Sequence, residues 1–264
     1  MLLARIPTTV ISDDATIARA CAQFMDLSGQ LPQNAIAEID DVLAHLPIDP
    51  RSATAAQAWR AMWDKPLYAN TKVATGRRWV AELEPFMDSA WETWGADPEQ
   101  FVITRIGRGR DAGSFQMDGA QAKEVRAATG TSVHRLYAIQ NAAGLLRGLA
   151  AQSDTPVLRF WTEPLDSLVP DLRRKLGWGW GPITVLHMLT DFGVAGKPDL
   201  HVMRSLRQLG IWSSPSDQPS EAEARAVNDV IRQMVLKTGE LTPARLRRID
   251  IELMALSRYG VIAP

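Results

Sequence analysis

The sequence predicts an all-α protein with at most one or two short strands, and three observations predict it. Apolar residues recur at three- and four-residue spacings over most of the chain. No alternation of strand and helix patterns accompanies them. Prolines and glycines fall between the helical stretches as punctuation. In order, residues 15–25 and 34–45 carry the helical spacing, with Pro32 and Pro47 as breaks. Residues 55–63 and 76–94 read likewise, with Pro66 between them and a kink or restart expected near Pro85, because proline lacks an N–H and collides with the preceding turn. Phe101-Val102-Ile103 is the one plausible strand, and it runs into the loop Gly107-Arg108-Gly109-Arg110-Asp111-Ala112-Gly113. Residues 133–151 form an amphipathic helix with Leu136, Ile139, Ala143, Leu146 and Ala150 along one face. Helices follow over 165–176, 182–192 and 200–209, then a surface loop at 213–220 and closing helices over 221–237 and 243–259.

With 264 residues, 46% apolar and 22% charged, the chain has the balance of a soluble globular protein and can bury a sizeable core. No apolar run approaches the ~20 residues of a membrane-spanning helix. The start, Met1-Leu2-Leu3-Ala4-Arg5-Ile6-Pro7, lacks the pattern of a secretory signal, so a cytoplasmic location is expected. A single cysteine, Cys21, excludes an intramolecular disulfide and any cysteine-clustered zinc or iron–sulfur site; its apolar helix face points to the core.

The net charge of −1 conceals an asymmetry. Residues 1–100 hold 8 Lys/Arg against 14 Asp/Glu, whereas residues 101–264 hold 21 against 16. A basic face in the second part would draw a phosphate backbone, although ordinary surface variation explains the same numbers.

Two segments carry chemical information. In Leu176-Gly177-Trp178-Gly179-Trp180-Gly181-Pro182-Ile183-Thr184, two helices meet through a glycine-rich turn. Exposed amides and the helix dipole at the second helix's start favour an anion such as phosphate. The alternative is a tight helical turn with Trp178 and Trp180 in the core. Downstream, Asp199 stands where a helix should begin, in Lys197-Pro198-Asp199-Leu200-His201-Val202-Met203-Arg204. It reads either as an N-cap or as a carboxylate available for chemistry.

Together these segments resemble the helix-hairpin-helix DNA glycosylase superfamily, HhH-GPD, which includes endonuclease III and the adenine and alkylbase glycosylases. That family carries a Leu-Pro-Gly-(Val/Ile)-Gly hairpin, a threonine near the start of the next helix and an Asp-Thr-His-Val-x-Arg segment. Gly179-Trp180-Gly181, Thr184 and Asp199-Leu200-His201-Val202-Met203-Arg204 match in order, and 135–143 is similar to the helix preceding the hairpin. The resemblance implies two helical lobes with a cleft, a core over 130–210 with its hairpin at 177–182, and closing helices over 211–264. Residues 1–129 form an N-terminal helical region of unassigned type. Trp178 replaces the family's proline and Gly177 its leucine, Ile183 occupies the slot of the nucleophilic lysine, and the four-cysteine cluster is absent.

The resemblance implies a monofunctional glycosylase without lyase activity, metal or cofactor, acting on DNA with a flipped base. No membrane and no obligatory protein partner enter. Asp199 would be the catalytic carboxylate, while Gly179, Trp180, Gly181 and Thr184 would grip a phosphate. Trp178, His201, Arg105, Arg108 and Arg110 are candidate base or strand contacts; core packing is the competing role for the tryptophans and for His201. Arg173-Arg174-Lys175 would add positive charge beside the hairpin, while Arg245, Arg247 and Arg248 are expected on an exposed face. Two alternatives stand beside this reading: a nucleosidase on the same scaffold, favoured by the acidic first hundred residues, and a DNA-binding protein without chemistry.

Overall fold

The computed structural model describes residues 9–262. Its regular structure is helical apart from one small antiparallel sheet, so the all-α prediction holds. Helix α1 (Asp14–Ser28) starts where Asp13 accepts the Thr16 amide at 2.9 Å, and α2 (Gln33–His45) follows Pro32. Helix α3 (Ala55–Met62) opens with a reciprocal cap between Thr54 and Gln57. Pro66 falls between α3 and the next long helix, as expected, and sits in the first turn of the short helix α4 (Lys65–Tyr68). Helix α5 (Val73–Leu83) gives way to a 3-10 turn at Glu84–Phe86, which contains Pro85, before α6 (Ala90–Thr93).

Strand β1 (Val102–Arg105) pairs with β2 (Phe115–Asp118), Ile103 lying opposite Met117. Phe101 precedes the strand and stacks on Trp94, ring centroids 3.6 Å apart. Neither β2 nor α7 (Ala120–Thr129) is legible in the sequence, for a local reason. Gly119 turns strand into helix in one residue at φ +91°, and a Cβ there would lie 2.1 Å from the Gln100 carbonyl oxygen. A four-residue strand also gives too little alternation to read. After α8 (Val133–Ala150) and the short α9 (Leu158–Thr162) come α10 (Leu165–Leu176), α11 (Pro182–Asp191), α12 (Leu200–Gln208), α13 (Glu221–Thr238) and α14 (Pro243–Arg258).

The chain divides into two compact units, Pro50–Met188 and a second one formed by Met1–Asp49 with Leu189–Pro264. In the continuous unit α8 is the axis, packing against α3, α4, α6, α10 and β1. Being surrounded, α8 buries Val133, Ala138 and Ala142 as well as Leu136, Ile139, Ala143 and Leu146, while Ala150 is only half-buried. Buried indoles here find carbonyls: Trp59 donates to Met87 at 2.6 Å and Trp180 to Ala138 at 2.8 Å.

In the discontinuous unit α14 takes the central place, against α1, α2, α12 and α13. Its core holds Ile17 and Phe24 of α1, Leu206 of α12, Ile231 and Met234 of α13, and Leu253 and Leu256 of α14. Each such side chain contributes about 1.5–3 kcal/mol through removal from water. Cys21 is buried in the same core, as expected.

Candidate functional site

In the continuous unit, α8 supports the glycine-rich turn after α10, the segment that the sequence reads as a hairpin. Asn141 Nδ2 donates to the Leu176 carbonyl at 2.8 Å and holds the end of α10, and the chain leaves the helix at Gly177 with φ +68°. Gly179 has φ +94°, and a Cβ on it would stand 2.6 Å from the Ala138 Cβ, so both conformation and space demand glycine. Trp180 is buried; its indole N–H is bound by Ala138 and its amide by the Gly177 carbonyl at 3.3 Å. The expectation of a phosphate contact at Trp180 is therefore corrected: both its donors are engaged within the fold, and it serves as a strut.

Gly181 differs. Its φ lies outside the left-handed region, and nothing stands within 4 Å of where a Cβ would be. The protein's own packing does not require glycine there. Among the described residues, the amides of Gly179, Gly181 and Ile183 have no hydrogen-bond acceptor, and both glycines are exposed. Pro182 opens α11, and Thr184 lies half-buried in its first turn. The arrangement offers unpaired amides at a helix start, suited to a phosphate oxygen.

Beside the hairpin lies an aromatic and basic patch. Trp178 is half-buried, with the Arg105 guanidinium 5.3 Å from its ring centroid. His134 meets the same ring edge-on at 5.3 Å, and Phe115 at 5.4 Å. Burial, then the charges of Arg135 and Arg110, hold His134 below the usual histidine range, against a pull upward from the Arg110 carbonyl. Arg105 belongs to β1, whereas Arg108 and Arg110 are exposed in the following loop and make no ion pair among the described residues. The Ser114 carbonyl ties that loop, accepting from Ile106 at 3.0 Å and Gly107 at 3.1 Å. Ile106, unremarked in the sequence, stands 63% exposed among the arginines. The positive charge expected of Arg174 and Lys175 is partly cancelled, since Asp171 lies 2.5 Å and 2.8 Å from them and 2.7 Å from Arg159. Lys175, ahead of the two arginines, keeps Asp171 well below the usual carboxylate range.

In the discontinuous unit, Asp199 opens α12 with both of its readings intact. Its Oδ1 accepts the amides of His201 at 3.0 Å and Val202 at 3.2 Å, which is the cap. Its Oδ2 bears no such bond and stands 3.8 Å from the Lys197 ammonium, the Asp199 side chain being 26% exposed. The His201 ring lies elsewhere: its Nδ1 is 3.2 Å from Ser257 Oγ, bracing α12 to α14, as the packed-histidine reading expects.

The loop ahead of Asp199 is buried over 192–196, and side chains from two later helices satisfy its backbone. Asn228 Oδ1 accepts the Gly196 amide at 2.6 Å, Asp250 Oδ1 the Lys197 amide at 2.7 Å, and Arg232 donates to the Val194 carbonyl at 3.1 Å. Gly193, at φ +62°, lets the loop pass the start of α14, where a Cβ would be 2.3 Å from the Pro243 carbonyl oxygen. Asp250 Oδ2 accepts from Arg247 at 2.8 Å, and Arg247 reaches Asp191 at 3.3 Å. Burial pushes the Asp250 carboxyl up to about 6; Arg247 and the Lys197 amide pull it down, and the charge of Asp199 pushes it up further.

Arg247 thus corrects the expectation of an exposed arginine face. Its side chain is only 13% exposed because it balances two buried carboxylates, while Arg245 and Arg248 are exposed. The sequence does contain a signal for Asn228 and Asp250. Each interrupts an apolar helical stripe, Ala224-Val227-Asn228-Ile231 and Leu246-Ile249-Asp250-Leu253, and a polar residue in such a stripe needs a buried partner.

Among the described residues, no group of three or more His, Cys, Asp or Glu side chains is arranged to hold a metal ion, and no helix is long and apolar enough to cross a membrane. No protein-family model matches the chain, and neither the curated proteins nor the solved structures contain a significant match.

Proposed function

We propose that this protein is a monofunctional DNA glycosylase, hydrolysing the N-glycosidic bond of a flipped damaged or modified base and leaving an abasic site. The observation that carries the reading is the arrangement of Asp199: one oxygen caps α12, and the other accepts no backbone amide and stands 3.8 Å from the Lys197 ammonium, beside a loop held by Asn228 and Asp250. The hairpin supports the same reading, because the exposed amides of Gly179 and Gly181 suit a DNA phosphate and read no sequence. Trp178, Arg105, Arg108 and Arg110 add a surface for bases and strand.

In the proposed reaction the C1′–N bond breaks, its electron pair leaves with the base, and positive charge develops on the sugar. The Asp199 carboxylate stabilises that charge and takes the proton of the water that adds to C1′. Ile183 has no amine, so no Schiff base forms there and borohydride should trap no enzyme–DNA adduct; a trapped adduct would overturn this part.

The test is base release from a panel of damaged and modified DNAs by the wild type and by Asp199→Asn, with abasic sites developed by alkali and the freed base identified by mass. Release that depends on Asp199 supports the proposal. Absence of release together with salt-sensitive binding favours a non-catalytic DNA-binding protein. The acidic first hundred residues favour a second reading, a nucleosidase, which free modified nucleosides in the same assay would reveal.

A further inference from the structure

A groove in the continuous unit takes no part in the hairpin or in Asp199. Two periodicities build it. Phe115 and Met117 stand two apart on β2 and share a face of the strand, whereas Lys123, Arg126 and Ala127 stand three and four apart on α7 and share a face of the helix. Packed together, β2 and α7 enclose an open groove of about 470 Å³ lined by these five residues. That volume lies within the ~300–1,000 Å³ of sites that take a small molecule or one unit of a polymer.

The lining is divided by chemistry. Phe115, Met117 and Ala127 are apolar, and Lys123 and Arg126 are cations on the exposed side. No carboxylate lines the groove, and neither cation makes an ion pair among the described residues. The Arg126 guanidinium reaches across Met117, Nη1 lying 3.8 Å from Sδ. An apolar seat beside two uncompensated positive charges matches a nucleotide, which has a flat base and a phosphate. The Phe115 ring also stands 5.4 Å from Trp178, so the groove continues the aromatic patch beside the hairpin.

We infer that this groove is a strand-binding subsite for one nucleotide of the DNA, its base against Phe115 and Met117 and its phosphate against Lys123 and Arg126. The inference rests on the DNA-directed reading above but not on its chemistry. It extends the proposed footprint past the hairpin to a face where two exposed cations would release counterions on binding.

The experiment compares the full-length wild type with Lys123→Ala/Arg126→Ala, titrating a fluorescein-labelled undamaged duplex at several salt concentrations. Both side chains are exposed, and matching thermal unfolding midpoints would establish that the variant is folded. In parallel, duplex containing 4-thiothymidine is photo-crosslinked to the wild type and the attached peptide is identified by mass. The expected result is a log–log salt slope shallower by about 0.9, for the one phosphate contacted, with a crosslink within residues 115–127. An unchanged slope, or crosslinks confined to other segments, overturns the subsite and leaves the glycosylase proposal standing. A wild type with no salt-dependent DNA binding overturns both. A dimer abolished by the double variant, seen by sedimentation, overturns it in favour of a second copy of the chain.

Discussion

The hairpin at 177–182 and the loop before Asp199 solve the same problem, holding a helix start still, by opposite means. The hairpin is exposed and held by its own backbone geometry against α8, where Gly179 touches Ala138 and Trp180 binds its carbonyl. The Asp199 loop is buried and held by side chains of helices that follow it by some 30–50 residues, Asn228, Arg232 and Asp250. A backbone-held element depends on glycines and fails by steric clash. A side-chain-held element depends on buried polar partners and fails when one is left unpaired.

Five substitutions break or sharpen that contrast, taken from the largest effect to the smallest. Asp199→Asn should lower kcat by about 10²–10⁴ while barely changing stability, since asparagine caps a helix as well as aspartate does; single-turnover base release and thermal unfolding check the two halves. Asp250→Ala should destabilise by about 3–5 kcal/mol, because Arg247 loses a buried partner and the Lys197 amide its acceptor; urea denaturation reads it directly.

The pH dependence of the same residue has a definite sign. Burial raises the folded-state value of Asp250 to about 6, above the ordinary carboxylate value of 3.8. Its contribution is fully present below the lower value and is lost as pH rises through the upper one. Asp250→Asn should therefore remove a decline in stability between about pH 4 and 6, and an unchanged profile in urea would count against the buried-carboxylate account. The two hairpin glycines then separate structure from binding. Gly179→Ala should cost about 1–3 kcal/mol through overpacking on Ala138, plus backbone strain at φ +94°. Gly181→Ala should leave the unfolding midpoint within about 0.5 kcal/mol yet weaken DNA binding, as gel shift would show; equal binding would remove Gly181 from the phosphate grip.

Much of the fold is legible because the later helices are long and sharply bounded. Those expected over 133–151, 165–176, 182–192, 200–209, 221–237 and 243–259 differ from α8 and α10–α14 by at most one residue at either end. The hairpin and the Asp199 cap are legible for the same reason, since glycine and aspartate mark local backbone needs. Elements such as β2, α7 and α9 escape because each is short or is joined by an abrupt turn. Arg247 and Asp250 escape for a different reason. Charged residues three apart on a helix read as a solvated face, which outweighs the apolar stripe around Asp250, and the tertiary partner Asp191 and the Lys197 amide show them to be interior.

The discontinuous unit has a consequence for the order in which the protein is made. Ribosomal synthesis releases the chain from its N-terminus, and compact units fold as their last segment emerges. Pro50–Met188 is complete once Met188 is out, whereas α1 and α2 must wait for α12–α14, which lie beyond it. The seat of Asp199 waits for α14 as well, because the acceptor for the Lys197 amide is residue 250. The nascent protein can thus present a finished hairpin well before its carboxylate is set, and the proposed chemistry switches on only with the final helix.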